Sequence, residues 1–241
     1  MHDSQPAGIS IITCTNRPMF FKTLLNNFKR QRYKIKELIV ILNKSSMNLA
    51  EYRRKVASFH NIKVFKVPEK HTLGSCLNYA IARAKYPIIA KFDDDDYYSP
   101  NYLMEQIGAM QRTGAGIVGK AAHLKYFEGK RLLVIVSPSY KNKFVKYVAG
   151  GTLLFKKKIH KHVRFSLLTL GEDIDFMRRS RTKGYKIFAT SPYNFVGIRR
   201  QDKKSHTWKI SDNNLMKGSV FVARTTHYRK SADRPVKRTV S

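Results

Sequence analysis

Four successive carboxylates, Asp93, Asp94, Asp95 and Asp96, stand at the end of a short apolar run, Ile88 to Ala90 with Phe92 beyond it, and Tyr97, Tyr98, Ser99 and Pro100 follow. Adjacent anions repel one another, and burying one of them unpaired is costly, so the cluster needs cations. Lysine and arginine are abundant in this chain, but a divalent metal ion holds carboxylate oxygens at closer range. A solvated acidic loop is the alternative reading. A second acidic group, Glu172, Asp173 and Asp175, follows Gly171 and precedes Arg178, Arg179, Arg181, Lys183 and Gly184. Acids first, bases last and a glycine beyond is the order a helix dipole favours, so capping alone is enough to explain these acids at this level.

The elements that must position these groups are legible from hydrophobic pattern. Ile9 to Thr15 is a β-branched, almost continuously apolar run of the kind buried on both faces of a parallel sheet, Glu37 to Leu42 is a second continuous apolar strand, and Ile62, Val64, Phe65 and Val67 mark a third. Between them, Met19 to Arg30 and Leu49 to Phe59 carry apolar residues at helical spacing, and His71 to Lys85 forms a third such stretch before Tyr86 and Pro87. This alternation predicts an open parallel sheet wound with helices, with ligands beyond the carboxyl ends of its strands. The aspartates then end a fourth strand, on the same rim as Asn16 and Asn43. After a helix over Tyr102 to Gln111 the pattern changes to strand after strand, at 116–122, 132–137, 185–189 and 193–197. In VKYVAGGTLLF, Val145 to Phe155, the pair Gly150 and Gly151 marks a bulge or a place where a ligand meets backbone.

The chain has 241 residues, with 47 Lys plus Arg against 16 Asp plus Glu and a formal net charge of +31. That excess predicts attraction to polyanions without choosing among them. Phosphate attraction without a base-reading module gives only salt-sensitive, nonspecific affinity, so specific nucleic-acid binding is not expected. No apolar run approaches a membrane span and MHDSQPAG lacks a signal peptide's apolar core, which predicts a cytoplasmic protein. Cys14 and Cys76 read as small buried hydrophobes rather than a disulfide pair. The last dozen residues hold too few apolar groups to pack.

In order and spacing, SIITCTNR, ELIVILN, HTLGSCLNYAIARAK leading to KFDDDD, then GEDIDF and RRQDKKSHTW resemble the GT-A glycosyltransferases, and within them the family 2 enzymes that use nucleotide sugars. The likeness covers roughly Ile9 to Trp208, and the SHTW ending is similar to members acting on bacterial surface or spore-coat polymers. It implies an α/β GT-A fold: a Rossmann-like, mostly parallel central sheet with helices on both faces and a smaller mixed or antiparallel acceptor-side region. The expected layout is one domain over 1–208, with a nucleotide-binding half at 9–100 and an acceptor-binding half at 101–208. A basic, partly disordered extension follows at 209–241.

The implied activity is inverting, metal-dependent transfer from a nucleotide-diphospho-sugar, a UDP-sugar first, to a carbohydrate or cell-surface polymer. The runner-up is a catalytically inactive scaffold that holds an anionic polymer. By matching, Asp95 with Asp93 holds Mn2+ or Mg2+ and His206 completes the shell, while Asp93 or Asp94 contacts ribose. Asp96 only caps the next turn. Asp173 is the base that takes the acceptor's proton, Glu172 holds the acceptor, and Asp175 is structural. Thr15, Asn16 and Arg17 meet the nucleotide. Arg199 and Arg200, with Lys203 and Lys204, suit the diphosphate. Asn43 stands where the family commonly has an aspartate that reads uracil, which leaves the base open. The basic tail suggests peripheral contact with an anionic membrane at its cytoplasmic face.

Overall fold

The structure is a computed structural model that describes residues 7–202 and 210–236. Its first sheet begins with β1 (Ile9–Thr15), β2 (Lys36–Leu42), β3 (Ile62–Lys66) and β4 (Ile88–Lys91), joined by helices α1 (Phe21–Arg30), α2 (Leu49–Lys55) and α3 (Leu73–Arg83). These four strands are parallel in the order β3-β2-β1-β4, with Thr15 beside Leu42 and Ile12 beside Lys91. Alternate residues serve opposite faces. Ile9, Ile11, Leu38 and Val40 join the core under α1 and α2, while Ile12, Ile39 and Ile41 join the core that includes Leu77 and Ile81 of α3. Each such side chain contributes about 1.5–3 kcal/mol on burial, which is why these continuous apolar runs were readable as strands. Thr72 caps α3 by accepting from Ser75 N–H at 3.3 Å. Helix α2 is shorter than its pattern suggests, ending at Lys55 with turns at 56–58.

After β4 the chain changes sheets. A two-residue strand, β5 (Tyr97–Tyr98), follows the aspartates, and α4 (Tyr102–Thr113) leads to β6 (Ile117–Gly119), β7 (His123–Phe127), β8 (Leu132–Val136) and β9 (Lys143–Phe144). Next come β10 (Leu154–Lys156), α5 (Lys158–His162), α6 (Glu172–Thr182), β11 (Ile187–Ala189) and β12 (Phe195–Arg199), then α7 (Asp212–Met216), β13 (Val220–Arg224) and α8 (Tyr228–Ala232). Strand β10 joins the first sheet antiparallel to both β4 and β6, and β11 and β9 extend it. The second sheet runs β13-β8-β7-β12-β5 and is mixed, with β12 parallel to β7 and the other pairs antiparallel. This is the α/β architecture expected: a mostly parallel sheet between helices, with a smaller mixed region. The four aspartates are the crossover between the two sheets.

Buried polar contacts lock the sheets together. Lys120, fully buried, donates to Glu105 at 3.0 Å, Thr190 at 3.1 Å and the Ser191 carbonyl at 2.8 Å. Gln31, the residue that ends α1, donates to the Ser99 carbonyl at 2.9 Å and accepts from Leu103 N–H at 3.2 Å, which fastens the segment after β5. Among residues expected to be too polar to pack, 230–236 find partners. Ala232 is buried, Asp233 accepts from the Tyr97 hydroxyl at 2.9 Å, and the Arg234 carbonyl accepts from Asn101 at 2.8 Å. A few such contacts suffice where composition alone predicted none.

Candidate functional site

The carboxyl ends of β1 to β4 form one rim, and the loop after β4 is held rigidly there. Tyr98 stacks on Phe92 with ring centroids 3.7 Å apart, its hydroxyl accepts from Asp93 N–H at 2.7 Å, and it donates to the Gly151 carbonyl at 2.5 Å. Asn27 of α1 donates to the Asp96 carbonyl at 2.8 Å. Each aspartate then has its own partner. Asp94, buried, accepts from the Thr15 hydroxyl at 2.5 Å and from Arg17 Nε at 3.3 Å, and Arg17 Nη2 also reaches its other oxygen. Asp95 takes Arg17 Nη1 at 2.9 Å and Arg200. Asp93 takes Lys91 Nζ at 2.6 Å. Asp96 accepts from Ile198 N–H at 2.9 Å, binding β12 to the run across 102 positions of sequence, so it does more than cap a turn.

The charges follow from this arrangement. Burial, then repulsion from Asp95, pushes the Asp94 carboxyl up to about 6 against the pull of Arg17. Burial acts on Asp95 in the same direction, but Arg17 and Arg200 outweigh it and hold that carboxyl below its ordinary value. Burial also pushes Asp96 well up, helped by Asp95 and Asp93.

A second set of acids arrives from α6. Gly171, at φ 84°, occupies the N-cap position, where no side chain is available to cap, and Glu172, Asp173 and Asp175 fill the first turn. Asp175 is bound to Ser166, to Arg178 at 2.6 Å and to Arg179 at 2.7 Å, which hold it down near 2. Glu172 and Asp173 face inward, toward Lys91. A Cβ on Gly150 would lie 1.8 Å from Asp173 Oδ2, and one on Gly151 would lie 2.5 Å from Asp93 Oδ2. Two consecutive glycines therefore let carboxylates from opposite halves of the chain approach one corner of backbone. Beneath them Lys91 is buried. Burial drives an ammonium toward neutrality, but Asp93, Glu172 and Asp173 together hold Lys91 above its usual range. The same burial pushes Glu172 up to about 7.

Most of the expected residues meet here, but not all in the way their types suggest. Thr15, Arg17, Arg200 and the four aspartates lie together, and Glu172 and Asp173 join them through Lys91 and the glycine pair. Asn43 stands at the end of β2, where its amide donates to the Pro68 carbonyl at 2.8 Å and its N–H to the Thr15 carbonyl at 2.9 Å, tying three strand ends together. Asn16 is exposed on the same rim. Arg199 is buried and committed to Asp212 at 3.0 Å and the Ile210 carbonyl at 2.5 Å, so of the adjacent arginines it is Arg200 that meets Asp95. His206, Lys203 and Lys204 lie outside the described residues. Lys91 was not expected. Its signal was a lysine inside the otherwise apolar IIAKF, a place where a cation needs buried acids.

Among the described residues, no three of His, Cys, Asp and Glu stand together as a metal centre would require. Asp93 and Asp95 supply hard oxygen donors on one loop, each with a basic partner in this state. Donors of this kind suit Mg2+ or Mn2+, which takes one or two carboxylates and fills its shell with water and substrate phosphates. It does not form a complete protein cage.

The sequence model of Glycosyl transferase family 2 matches residues 10–205. The chain belongs to that family, and its fold is GT-A. Over 159 residues it is 28% identical to the O-antigen biosynthesis glycosyltransferase WbnJ of Escherichia coli, covering 63% of this chain and 62% of that protein. Over 194 residues it is 25% identical to the poly-beta-1,6-N-acetyl-D-glucosamine synthase of Staphylococcus aureus, covering 73% of this chain and 46% of that one. The chain thus spans about half to three-fifths of these relatives' length. Residues 1–349 of S. aureus TarS, in complex with UDP-GlcNAc, superpose with a TM-score of 0.66 at 18% identity, over 87% of this chain and 64% of that one. The mannosyltransferase PcManGT of Pyrobaculum calidifontis, with GDP-Man and Mn2+, gives 0.62 at 16% identity, over 85% and 59%. Among the described residues no helix is long and apolar enough to cross a membrane.

Proposed function

We propose that this protein is an inverting, divalent-metal-dependent glycosyltransferase. It would move a sugar from a nucleotide-diphospho-sugar, a UDP-sugar first, to a hydroxyl of a carbohydrate or cell-surface polymer. The observation that carries this reading is the glycine corner, where Asp173 from α6 and Asp93 from the strand end approach adjacent backbone positions with Lys91 beneath both. Thr15, Asn16 and Arg17 bind the nucleoside side of the donor. Asn43 faces the base, and an amide, which both donates and accepts, is compatible with uracil. Arg17 and Arg200 release Asp95 and turn to the diphosphate, exchanging one anion for another, with Arg199 fixing the segment from which Arg200 reaches. Asp94 then serves ribose.

Asp95 and Asp93, with His206 beyond the described residues, are the groups that would hold Mn2+ or Mg2+. Such an ion supplies Lewis-acid neutralisation of the leaving diphosphate. Asp173 accepts the acceptor's proton, and Glu172 orients the acceptor hydroxyl. Support for the donor class comes from relatives solved with UDP-GlcNAc and with GDP-Man and Mn2+. The net charge of +31 suits an anionic polymer acceptor.

Thermal-shift screening of common nucleotide sugars with and without Mn2+ tests the reading. One donor should raise the melting temperature more when Mn2+ is present, and the increment should vanish in Asp95→Ala. No shift with any donor would contradict it.

A further inference from the structure

Large apolar side chains are exposed in one concentrated place. Leu167 is 68% exposed, Leu168 46%, Leu170 60% and Ile174 46%, all on the loop that leads into α6 or on the first turn of that helix. Single exposed leucines are ordinary, but several in one short stretch make a patch that something covers. The loop is not free to fold them inward. Asn78 of α3 donates to the Phe165 carbonyl at 2.8 Å and accepts from Phe165 N–H at 3.0 Å, and Gly74 N–H donates to the Leu168 carbonyl at 2.9 Å. A Cβ at Gly74 would lie 1.8 Å from the Ser166 carbonyl oxygen, so only glycine lets the loop lie on α3 in this way. On the other side, Ser166 donates to Asp175 and accepts from Arg179 at 3.0 Å.

Cations surround the patch. Lys161 and Arg164 precede it and are exposed, Arg178 follows it with its side chain 59% exposed, and the exposed Lys70 stands just before α3. Of the acids near this fringe, Asp175 is neutralised by Arg178 and Arg179, Glu69 beside Lys70 is turned to Ser45 N–H at 3.0 Å, and Asp173 beside Ile174 belongs to the rim. An apolar tip inside a basic collar is complementary to the interface of an anionic bilayer, where leucines enter the acyl boundary and Lys and Arg meet headgroup phosphates. Ile174 is the residue after Asp173, so this surface lies on the same edge as the acidic rim.

We infer that the loop at 167–170, with Ile174, docks the protein on an anionic lipid surface and turns the rim toward an acceptor presented there. The orientation of the acceptor rests on the proposed transfer activity; the docking does not, and vesicle binding is read without any substrate. The test uses flotation of the full chain with phosphatidylcholine vesicles, with and without phosphatidylglycerol. Wild-type protein should float with the anionic vesicles only. The Leu167→Ser/Leu170→Ser double variant should partition at least about tenfold less, with unchanged melting temperature and donor hydrolysis. Lys237→Gln/Arg238→Gln, which removes tail charge, should float nearly as well as wild type.

Equal flotation of the leucine variant and wild type would overturn the inference. So would loss of binding in the tail variant alone, or an association between copies of this chain that the leucine variant abolishes while vesicle binding persists.

Discussion

The two sides of the rim neutralise their acids differently. On the side of β1, Asp94 and Asp95 are matched by long, partly exposed guanidinium groups, Arg17 and Arg200, whose side chains are 25% and 14% exposed. On the side of α6, Glu172 and Asp173 share with Asp93 one short-range cation, Lys91, whose side chain is 6% exposed. Arg17 and Arg200 both reach Asp95, so one can turn to another anion while the other keeps that carboxylate paired. Lys91 is the buried cation set against Glu172, which is itself buried, so removing it strips that carboxylate of counter-charge where water does not reach, while Asp93, 38% exposed, still meets solvent. Under the proposed function the first side suits a ligand that comes and goes, while the second holds Glu172 where burial raises its proton affinity.

The sharpest way to break this comparison is Asp173→Asn. If Asp173 is the base, transfer should fall by about 10²–10⁴-fold with the melting temperature little changed, measured by product formation and thermal unfolding. A loss below tenfold would move the base elsewhere. Next is Lys91→Met, which should destabilise the fold by about 3–5 kcal/mol in urea unfolding. Arg200→Gln, which leaves Arg17 on Asp95 at 2.9 Å, should cost no more than about 1 kcal/mol. Equal costs would erase the distinction between the two sides.

A third test uses pH. Glu172 is held near 7 in the folded protein against an ordinary value of 4.5, so the folded state binds its proton more tightly than the unfolded chain does. Its contribution to stability is therefore full below about pH 4.5 and is lost as pH rises through about 7, a change of about 3 kcal/mol. Unfolding free energies of wild type and Glu172→Gln should diverge across that window in favour of the variant, and run parallel above it. Parallel curves throughout would place Glu172 outside the shared charge cluster. The smallest expected effect is on donor affinity: Arg200→Gln should raise KM for the donor by about tenfold and leave kcat nearly unchanged.

Much of the β1 side of the rim was legible in sequence because it is local. Strands β1, β2 and β4 are apolar runs buried on both faces, β3 at the sheet edge is buried on one, and each ends in polar residues that the parallel arrangement brings to one edge. The α6 side depends on contacts between segments far apart. Lys91 looks like one more basic residue until Glu172 and Asp173 are brought over it. Gly150 and Gly151 could be assigned only to a bulge or a ligand contact, and their use, admitting Asp173 and Asp93 to the same backbone corner, is a tertiary fact. Asp96 looked expendable because its partner, Ile198 N–H, lies on another sheet. Strand β7 was missed since HLKYF alternates weakly, and β5 since two residues carry no period. The packing of 230–236 escaped composition because a few side chains, Ala232 and Asp233 among them, do the anchoring.

The central claim is that the carboxylates of both sides act together on a nucleotide sugar. The most direct measurement is release of nucleoside diphosphate from a panel of nucleotide sugars, followed by chromatography with and without Mn2+, for wild type, Asp95→Ala and Asp173→Asn. The account predicts Mn2+-dependent release from at least one donor by wild type and its loss in both variants. Undiminished release in both variants, or none from wild type with any donor, would contradict it.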